Sequence, residues 1–525
     1  MSPSVNRSVN RSVNRSVNSS DNSSVNRPLN QAVNKETNSI HEMGEETLEK
    51  CDLLIRGMVI TMNENRDVYT DGYLAITDGL VVSAGSNADC QFTAAEEIGG
   101  EGHIVMPGLI NAHAHLVQGC LRGMAEGTTF EERFFGFYYP MTGACDEQRS
   151  YVSAMPPLLD LVRRGVTTTT DDHFTHVHKR SIDGVIAAVK DAGIRCRMAR
   201  LTINDKDAVP EGFREDLDVG LAETERVKAE WEDDLISVTA STIGITYCEP
   251  DQLKELWQWT DDNDRQFDIH APAVFDQKYL AERRGWQGGS FEWLDQAGIL
   301  GPNVIAGHAQ NLRPGEAELI RSRGATIALV PDMEQVLGLV SFDARQFLDR
   351  GVTCGLGLDG PVVAYGHDLW TAMRSFLTGQ RLGDEYRRRA GDAASKWTGE
   401  EVLYGSAEQA LELATIGSAK ALMMDDRIGS LESGKDADVV LIDRRGETHL
   451  SPPSAIIPNL VYGNGPSPES IRRVLVRGRT VVQDGEHVSI DRHKAVKKLD
   501  ELQDTLFDEV NTRRFSRIRS RFNWI

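Results

Sequence analysis

Residues 103–115 read His-Ile-Val-Met-Pro-Gly-Leu-Ile-Asn-Ala-His-Ala-His, and this stretch decides the fold. Its apolar part predicts a buried β-strand from Ile104 to His113. The stretch ends in a His-x-His pair, His113 and His115, and side chains at positions i and i+2 of a strand point to the same side. Two imidazoles that project together from a strand end form half of a metal site. The function therefore depends on whether further ligands follow downstream.

Segments typical of strands and helices alternate after this stretch. We predict eight strands, at 104–113, 166–172, 194–201, 236–243, 266–270, 303–308, 325–331 and 352–359. Helix-like segments separate them, for example at 181–192, 215–231, 251–263, 314–323 and 343–350. Eight strands that alternate with helices are the pattern of a (β/α)8 barrel of the TIM type. The predicted fold class is therefore α/β, with the barrel over residues 105–427.

Short β-rich runs with Asn, Asp and Gly turns flank the predicted barrel on both sides. They occupy residues 51–104 and return at 428–488. We expect the two arms to form one small composite β-sandwich domain. Residues 380–402 are rich in Arg, Asp and Gly and predict a surface insertion. Residues 489–525 predict a C-terminal amphipathic helix that serves packing or oligomer contacts.

The first 50 residues differ in composition from the rest of the chain. Ser-Val-Asn-Arg occurs at 4–7, 8–11 and 12–15 and then degenerates. The tract has no aromatic residues and too little apolar bulk to offset the entropy cost of ordering, which predicts a disordered tail. Met1 and Met43 are the two candidate translation starts.

Composition and charge exclude several classes of partner. The formal net charge of −22 argues against nucleic acid and against an anionic membrane surface. No apolar run is long enough for a transmembrane helix. The seven cysteines are scattered without a C-x-x-C pair, as expected for reduced thiols in a cytoplasm. We therefore expect a cytoplasmic protein that acts on a small molecule, as a homo-oligomer. The acidic, lysine-poor surface fits a high-salt cytoplasm and a GC-rich genome equally well.

Ionisable residues of the metal-ligand type follow several of the predicted strands. Besides His113 and His115, they are Asp171-Asp172-His173 after strand two, His270 after strand five, His308 after strand six and Asp359 after strand eight. In a (β/α)8 barrel the active site lies at these carboxyl ends. Three neutral imidazoles and a carboxylate suit one divalent ion, Zn²⁺ first, with Fe²⁺ and Mn²⁺ as alternatives. Such an ion would lower the pKa of a bound water molecule, and Asp359, which follows a glycine-rich strand, would accept its proton.

Further motifs surround these residues. They are Pro107–His115, the histidines of strands five and six, Gly-Leu-Asp359-Gly, Leu116–Gln118, Leu121–Gly123, Thr167–His173 and Ile428–Asp438. In combination they resemble the amidohydrolase superfamily, in the branch that holds the triazine hydrolases and the cytosine, guanine and 8-oxoguanine deaminases. The resemblance covers Cys51 to Val488. It implies a mononuclear metal held by His113, His115, His270 and Asp359, with Asp359 as the proton shuttle and His308 as a group that polarises the substrate or the hydroxide.

The chain departs from this branch at two places. Deaminases of the branch carry a glutamate three residues after the strand-five histidine, where this chain has Ala273. The usual Cys-Pro-x-Ser-Asn region reads Val330-Pro-Asp-Met-Glu-Gln335. Hydrolytic deamination of an aromatic amidine needs a proton delivered to the ring, so either the substrate differs or another acid serves. Asp332, Glu334 and His173 are the candidate acids.

These patterns support one leading function and two alternatives. The leading hypothesis is a metal-dependent hydrolase that cleaves a non-peptide C–N bond in a small, cyclic nitrogenous substrate by means of metal-bound hydroxide, as deaminases do. The first alternative is removal of a halide or thiolate, as in triazine chlorohydrolases and thiocarbamate hydrolases, and a missing ring acid fits such a leaving group better. The second is a catalytically silent barrel scaffold, against which the intact ligand set argues. Gln118, His173, Glu334 and Trp286 are the expected substrate-binding residues.

Overall fold

The structure, a computed structural model, describes residues 48–272, 276–310, 312–339, 343–391 and 403–517. Its strands are β1 Glu49–Ile60, β2 Val68–Thr77, β3 Leu80–Ser86, β4 Phe92–Pro107, β5 Leu109–Asn111, β6 Val166–His173, β7 Arg195–Leu201, β8 Ile236–Ser241, β9 Phe267–His270, β10 Val304–Gly307, β11 Thr326–Leu329, β12 Cys354–Leu356, β13 Val439–Asp443, β14 Ile471–Val476, β15 Arg479–Gln483 and β16 Glu486–His487. Residues 1–47 of the predicted tail, which include Met43, lie outside the described residues, and so does Ala273. Glu49 and Lys50, at the end of the predicted tail, already belong to β1.

Helices connect most of the strands in the middle of the chain. They are α1 Tyr139–Gly143, α2 Glu147–Arg163, α3 Ser181–Ala192, α4 Leu217–Trp231, α5 Pro250–Asp262, α6 Asp276–Arg284, α7 Ser290–Gln296, α8 Glu316–Arg323, α9 Pro331–Val336, α10 Arg345–Leu348, α11 Leu369–Arg389, α12 Ala407–Leu413, α13 Ile416–Ala421, α14 Ile456–Tyr462 and α15 Arg492–Glu509. Among the described residues, no helix combines the length and apolar character needed to span a bilayer.

Two four-stranded parallel sheets form the centre of the α/β fold. One has the order β5-β6-β7-β8 and the other β9-β10-β11-β12. Backbone contacts join their edges on both sides. Ala114 bridges Asp359, and Gly244 bridges His270, each in parallel sense. The carboxyl ends of all eight strands therefore face the same side, as the alternation in the sequence predicts.

The prediction of one strand from Ile104 to His113 is wrong. Gly108 separates β4 from β5 because the chain changes partners there: the Gly108 N–H donates to Asp438 O, and the next N–H, of Leu109, donates to Gly165 O. A Cβ atom at Gly108 would lie 2.0 Å from Oγ1 of Thr167, so this crossing requires glycine. His113 and His115 consequently lie just beyond the end of β5, not within a strand.

The two β-rich arms share one eight-stranded sheet, in the order β16-β15-β14-β13-β4-β1-β2-β3. β4 lies between β1, with which it runs parallel, and β13, with which it runs antiparallel. The C-terminal arm also contains helix α14, which the strand-like reading of 428–488 missed. A buried ion pair links this sheet to β7: Nη2 of Arg195 lies 2.8 Å from Oδ2 of Asp436, and both side chains are about 5% exposed or less.

The predicted surface insertion at 380–402 begins as the last part of helix α11. Its charged residues pair one turn apart, as Arg387 with Asp384 and Arg389 with Glu385. Such spacings stabilise a helix, which is why a polar, arginine-rich stretch is helical here. Residues 392–402 lie outside the described residues. The predicted C-terminal helix is α15, which buries Leu502 and Leu506 against the core.

We predict that Gly357→Ala destabilises the protein, because an added Cβ would lie 2.6 Å from Cβ and 2.9 Å from the backbone nitrogen of His113. Overpacking of this kind costs about 1–3 kcal/mol. A fall in the melting temperature by several degrees checks it. Gly446→Ala is the matched control, since nothing lies within 4 Å of the added atom; equal melting temperatures for the two variants would contradict the prediction.

Candidate metal and active site

Four imidazoles and one carboxylate converge at the carboxyl ends of the parallel strands. Candidate ligand atoms of His113, His270 and His308 lie within 4.8 Å of one another, and so do those of His113, His115 and Asp359. Nε2 of His115 lies 3.1 Å from Nε2 of His270 and 3.3 Å from Oδ1 of Asp359. The residues that the sequence assigns to the metal site, with His308, are thus brought together in one cluster.

Backbone contacts hold the first and last strands close enough for this convergence. The N–H groups of Leu358 and Asp359 both donate to the carbonyl of His113, at 2.9 and 3.0 Å. Asp359 has a left-handed backbone with φ of 63°, and its Oδ1 accepts the Gly360 N–H at 2.8 Å. The carboxylate is thereby turned back toward the histidines. The expectation that small residues before Asp359 permit close approach agrees with the packing of Gly357 on His113.

Asp172 orients both histidines of the His-x-His pair. Its Oδ2 lies 3.0 Å from Nδ1 of His113, and its backbone carbonyl accepts a hydrogen bond from Nδ1 of His115 at 2.7 Å. Its own N–H donates to the carbonyl of Ala114 at 2.8 Å. When Nδ1 of each ring carries the proton, Nε2 is left with a lone pair, and such partners of ligand histidines fix the ring and its tautomer.

Burial keeps two of the other rings neutral. It lowers the pKa of His308 to about 3 and the pKa of His270 well below its ordinary value. Both rings are less than 10% exposed. Neutral imidazole is the form that binds a metal ion.

The residues present fit a divalent ion. Nε2 of His113, Nδ1 of His270 and Nδ1 of His308 are buried without a hydrogen-bond partner in the described part of the chain. Buried polar atoms are normally paired. Nε2 of His115 and Nε2 of His270 lie 3.1 Å apart. Their lone pairs repel each other unless a cation or a proton lies between them. Nitrogen and carboxylate ligands of this kind suit zinc and related ions.

A cavity of about 390 Å³ opens over the cluster. His115, His270, His308 and Asp359 contribute to its floor. Eight aromatic rings belong to its wall, those of Phe130, Phe134, Phe135, Tyr138, Tyr139, Phe174, Tyr247 and Tyr279. Aromatic faces stack on planar rings, so the cavity can hold a flat organic molecule against the candidate metal site.

Only one of the four expected substrate-binding residues lines this cavity. Gln118 lines it, with its Nε2 donating to the Tyr138 hydroxyl at 2.7 Å and its Oε1 unpaired within the described residues. His173 is bonded to Ser181 instead, and Trp286 donates to Gly289 O. Glu334 lies behind the cavity wall, hydrogen-bonded to Gln310.

Sequence reasoning missed several polar residues of the cavity wall, among them Arg133 and Gln310. Arg133 lies in a π-helix, Glu132–Tyr138, that also supplies Phe134, Phe135 and Tyr138 to the wall. The apolar surroundings lower the pKa of Arg133 by burial. The dense run of aromatic residues at 130–139 could have indicated this part of the cavity wall. In the structure this run includes the π-helix, and such helices are frequent at functional sites.

Comparisons with known proteins agree with this architecture. The profile of the Amidohydrolase family matches residues 104–481. The chain is 27% identical over 449 residues to a 5-methylthioadenosine/S-adenosylhomocysteine deaminase of Pelotomaculum thermopropionicum, which covers 84% of this chain and 96% of the relative. An adenosine deaminase of Xanthomonas campestris with bound zinc has a TM-score of 0.76 at 23% identity, over 88% and 99% of the two chains. Atrazine chlorohydrolase of Arthrobacter aurescens, complexed with zinc, has a TM-score of 0.74 at 23% identity, over 86% and 100%.

The family match, together with the fold and the histidine cluster, identifies the chain as a hydrolase of non-peptide carbon–nitrogen bonds. The chain belongs to the amidohydrolase family, because the family profile covers more than half of its length. This confirms the resemblance drawn from the sequence, and it confirms the predicted class of function, metal-dependent C–N hydrolysis of a small nitrogenous substrate. A silent scaffold is not supported.

We predict that Asp172→Asn weakens metal binding about 10- to 100-fold while the protein stays folded, because the amide orients His113 less strongly than the carboxylate does. Competition with a chromophoric chelator measures the affinity. Asp332→Asn is the control, since its carboxylate is bonded to Ser375, at 2.9 Å. Wild-type affinity in Asp172→Asn would show that the carboxylate does not orient the ligand.

Glu334 yields a prediction about stability and pH. Burial raises its pKa from 4.5 to about 8, so the unfolded chain loses this proton between those pH values while the folded protein keeps it. The contribution of Glu334 to the free energy of unfolding therefore falls as pH rises from about 5 to 8. Glu334→Gln is expected to melt above the wild type at pH 7.5, with a gap that shrinks toward pH 5. The exposed Glu408→Gln is the control, and a gap independent of pH would refute the assignment.

Proposed function

We propose that this protein is a hydrolytic deaminase that replaces the amino group of an aromatic nitrogen heterocycle with oxygen and releases ammonia. The convergence of His113, His115, His270, His308 and Asp359 beneath an aromatic cavity carries the proposal. The relatives named as methylthioadenosine/adenosylhomocysteine deaminases support an amino-substituted purine as the first substrate class to examine. Removal of a halide or thiolate is the alternative, and the assay below distinguishes the two.

Each residue has a proposed role in this reaction. His113, His115, His270 and Asp359 would hold the ion, and a divalent ion there supplies Lewis acidity that makes water nucleophilic near neutral pH. Asp359 accepts one proton of the attacking water and passes it to the ring nitrogen beside the attacked carbon, and it then carries the second proton of that oxygen to the amine, which leaves as ammonia. His308 donates to, or polarises, the oxygen that attacks. The unpaired Oε1 of Gln118 accepts a hydrogen bond from the substrate, which stacks on the ring of Phe174 or Tyr138.

The metal is proposed to be a single zinc ion, with iron or manganese as alternatives. Imidazole nitrogens and a carboxylate oxygen are ligands that zinc accepts. The zinc in the similar adenosine deaminase structure supports this choice.

The finer organisation of the chain is also a proposal. We infer that the two parallel sheets and their edge bridges close into one (β/α)8 barrel over 105–427. Strands from 51–104 and 428–488 would form the composite sandwich, supported by their shared sheet and by a common apolar cluster that includes Ile55, Val105 and Leu475. Residues 489–525 would form the C-terminal helical segment. A cytoplasmic homo-oligomer without nucleic acid or membrane partners stays a prediction, in keeping with seven free cysteines.

We expect Asp359→Asn and His270→Ala to lose both metal and turnover, because each removes one ligand and Asp359 is also the proton acceptor. Elemental analysis should find about one equivalent of metal in the wild type and far less in either variant. His449→Ala is the control, because His449 is hydrogen-bonded to the Gly465 carbonyl and does not line the cavity. Full metal content with full activity in either variant would overturn the site.

A substrate panel tests the reaction itself. Aminopurines, including nucleosides, with aminopyrimidines, halogenated triazines and thiocarbamates are incubated with metal-loaded protein, and ammonia, halide and thiol are measured. Ammonia release from an aminoheterocycle, abolished in Asp359→Asn, is the expected result. Release of halide or thiol without any ammonia would replace the proposal with its alternative.

A further inference from the structure

Glu334 is a buried carboxyl group that the reaction described above does not use. It is 1% exposed, and its Oε2 has no hydrogen-bond partner within the described residues. Burial and a single hydrogen bond from Gln310 are the two influences on its pKa, which rises to about 8. An uncompensated acid of this kind costs stability, and an apolar side chain would fill the position at lower cost. Such groups are concentrated at functional sites.

Gln310 connects this acid to the cavity. Its Nε2 donates to Oε1 of Glu334 at 3.0 Å, while its side chain lines the cavity. Its backbone is also anchored, because its N–H donates to the carbonyl of Pro272 at 3.0 Å, two residues beyond His270. Left-handed residues at His308 and Ala309 turn the chain so that His308 and Gln310 both reach the cavity.

The other two candidate acids face elsewhere. Asp332 lies on the same short helix α9 but accepts a hydrogen bond from the Ser375 hydroxyl. His173 lies near Asp171 at 3.5 Å and Ser181 at 3.0 Å, away from the cavity. Among the three, Glu334 is the one joined to a cavity-lining side chain.

We propose that Gln310 is a specificity-determining residue whose amide oxygen accepts a hydrogen bond from an N–H group of the heterocyclic substrate, and that Glu334 is its positioning residue. An amide side chain can present either its oxygen or its nitrogen. The bond to Glu334 uses one of the two N–H groups of Nε2 and fixes which way round the amide lies, so that Oε1 is available to accept a hydrogen bond from the substrate. Glu334 thus acts through Gln310 and does not touch the reacting atoms. The inference rests on the proposed deaminase function and concerns how the same cavity selects its ligand.

The first test compares substrates. The probe is the aminoheterocycle that the wild type turns over fastest in the panel, paired with an analogue in which a non-reacting N–H is N-methylated. A wild-type preference for the N–H compound of about 10- to 100-fold in kcat/KM is expected, since a site built around a hydrogen bond rejects ligands that lack it. Gln310→Leu is expected to lose that preference. An unchanged preference in Gln310→Leu would overturn the proposal.

The second test is a double-mutant cycle with Gln310→Leu, Glu334→Leu and both together. Because Glu334 acts only through Gln310, the double variant is expected to lose no more kcat/KM than Gln310→Leu alone. Glu334→Gln, which still accepts the Nε2 hydrogen bond, should restore most of the activity. The melting temperature of Glu334→Leu should not fall. Losses that multiply in the double variant, or a loss of activity that tracks lowered melting temperature, would refute the positioning role.

Matched measurements separate this inference from the proposed function. Asp332→Leu removes an acid from the same helix without touching Gln310 and is expected to keep the N–H preference. If the metal-loaded wild type releases no ammonia from any compound, the proposed function fails. If the wild type is active but Gln310→Leu retains the wild-type preference, the deaminase function stands and the role of Gln310 fails.

Discussion

The rest of the structure depends on one constraint. The lone pairs of several imidazole nitrogens and of a carboxylate oxygen must converge on one point. Two ring nitrogens, of His115 and His270, lie 3.1 Å apart, and a carboxylate oxygen lies 3.3 Å from the first of them. Without a cation these groups repel one another, so the fold must hold them against that repulsion. It does so with short parallel strands, the Ala114–Asp359 bridge and the glycine contact behind His113.

Burial and neighbouring charges shift the pKa values of three histidines of the cluster. Burial keeps His270 and His308 neutral, whereas the carboxylate of Asp172 outweighs burial and raises the pKa of His113. Asp172 also holds His115 through its backbone carbonyl. One residue on β6 thus fixes the rings of two candidate ligands that lie beyond β5. A carboxylate in this position balances an ion's charge without occupying a place in the cluster.

The sequence was informative where residues of the metal-ligand type recur near the carboxyl ends of predicted strands. His113 and His115 beyond β5, His270 at the end of β9, His308 after β10 and Asp359 after a glycine-rich strand could all be predicted, and so could the alternation of strands and helices. The break at Gly108 could not, because it arises from a change of hydrogen-bond partners between distant segments. The link between Gln310 and Glu334 joins residues 24 positions apart on different elements. His173 and Trp286 were expected in the cavity because of their type, but their hydrogen bonds direct them elsewhere.

The pairing of β4 with β13 has a consequence for the folding of the chain during its synthesis. The edge of β4 at Ile104–Pro107 pairs with β13, which is synthesised more than 300 residues later. At ordinary rates of synthesis, that edge stays unpaired for tens of seconds. Unpaired strand edges are where chains associate wrongly. β4, which leads to His113 and His115, is therefore synthesised early but pairs with β13 late. The growing chain is most prone to aggregation during that interval.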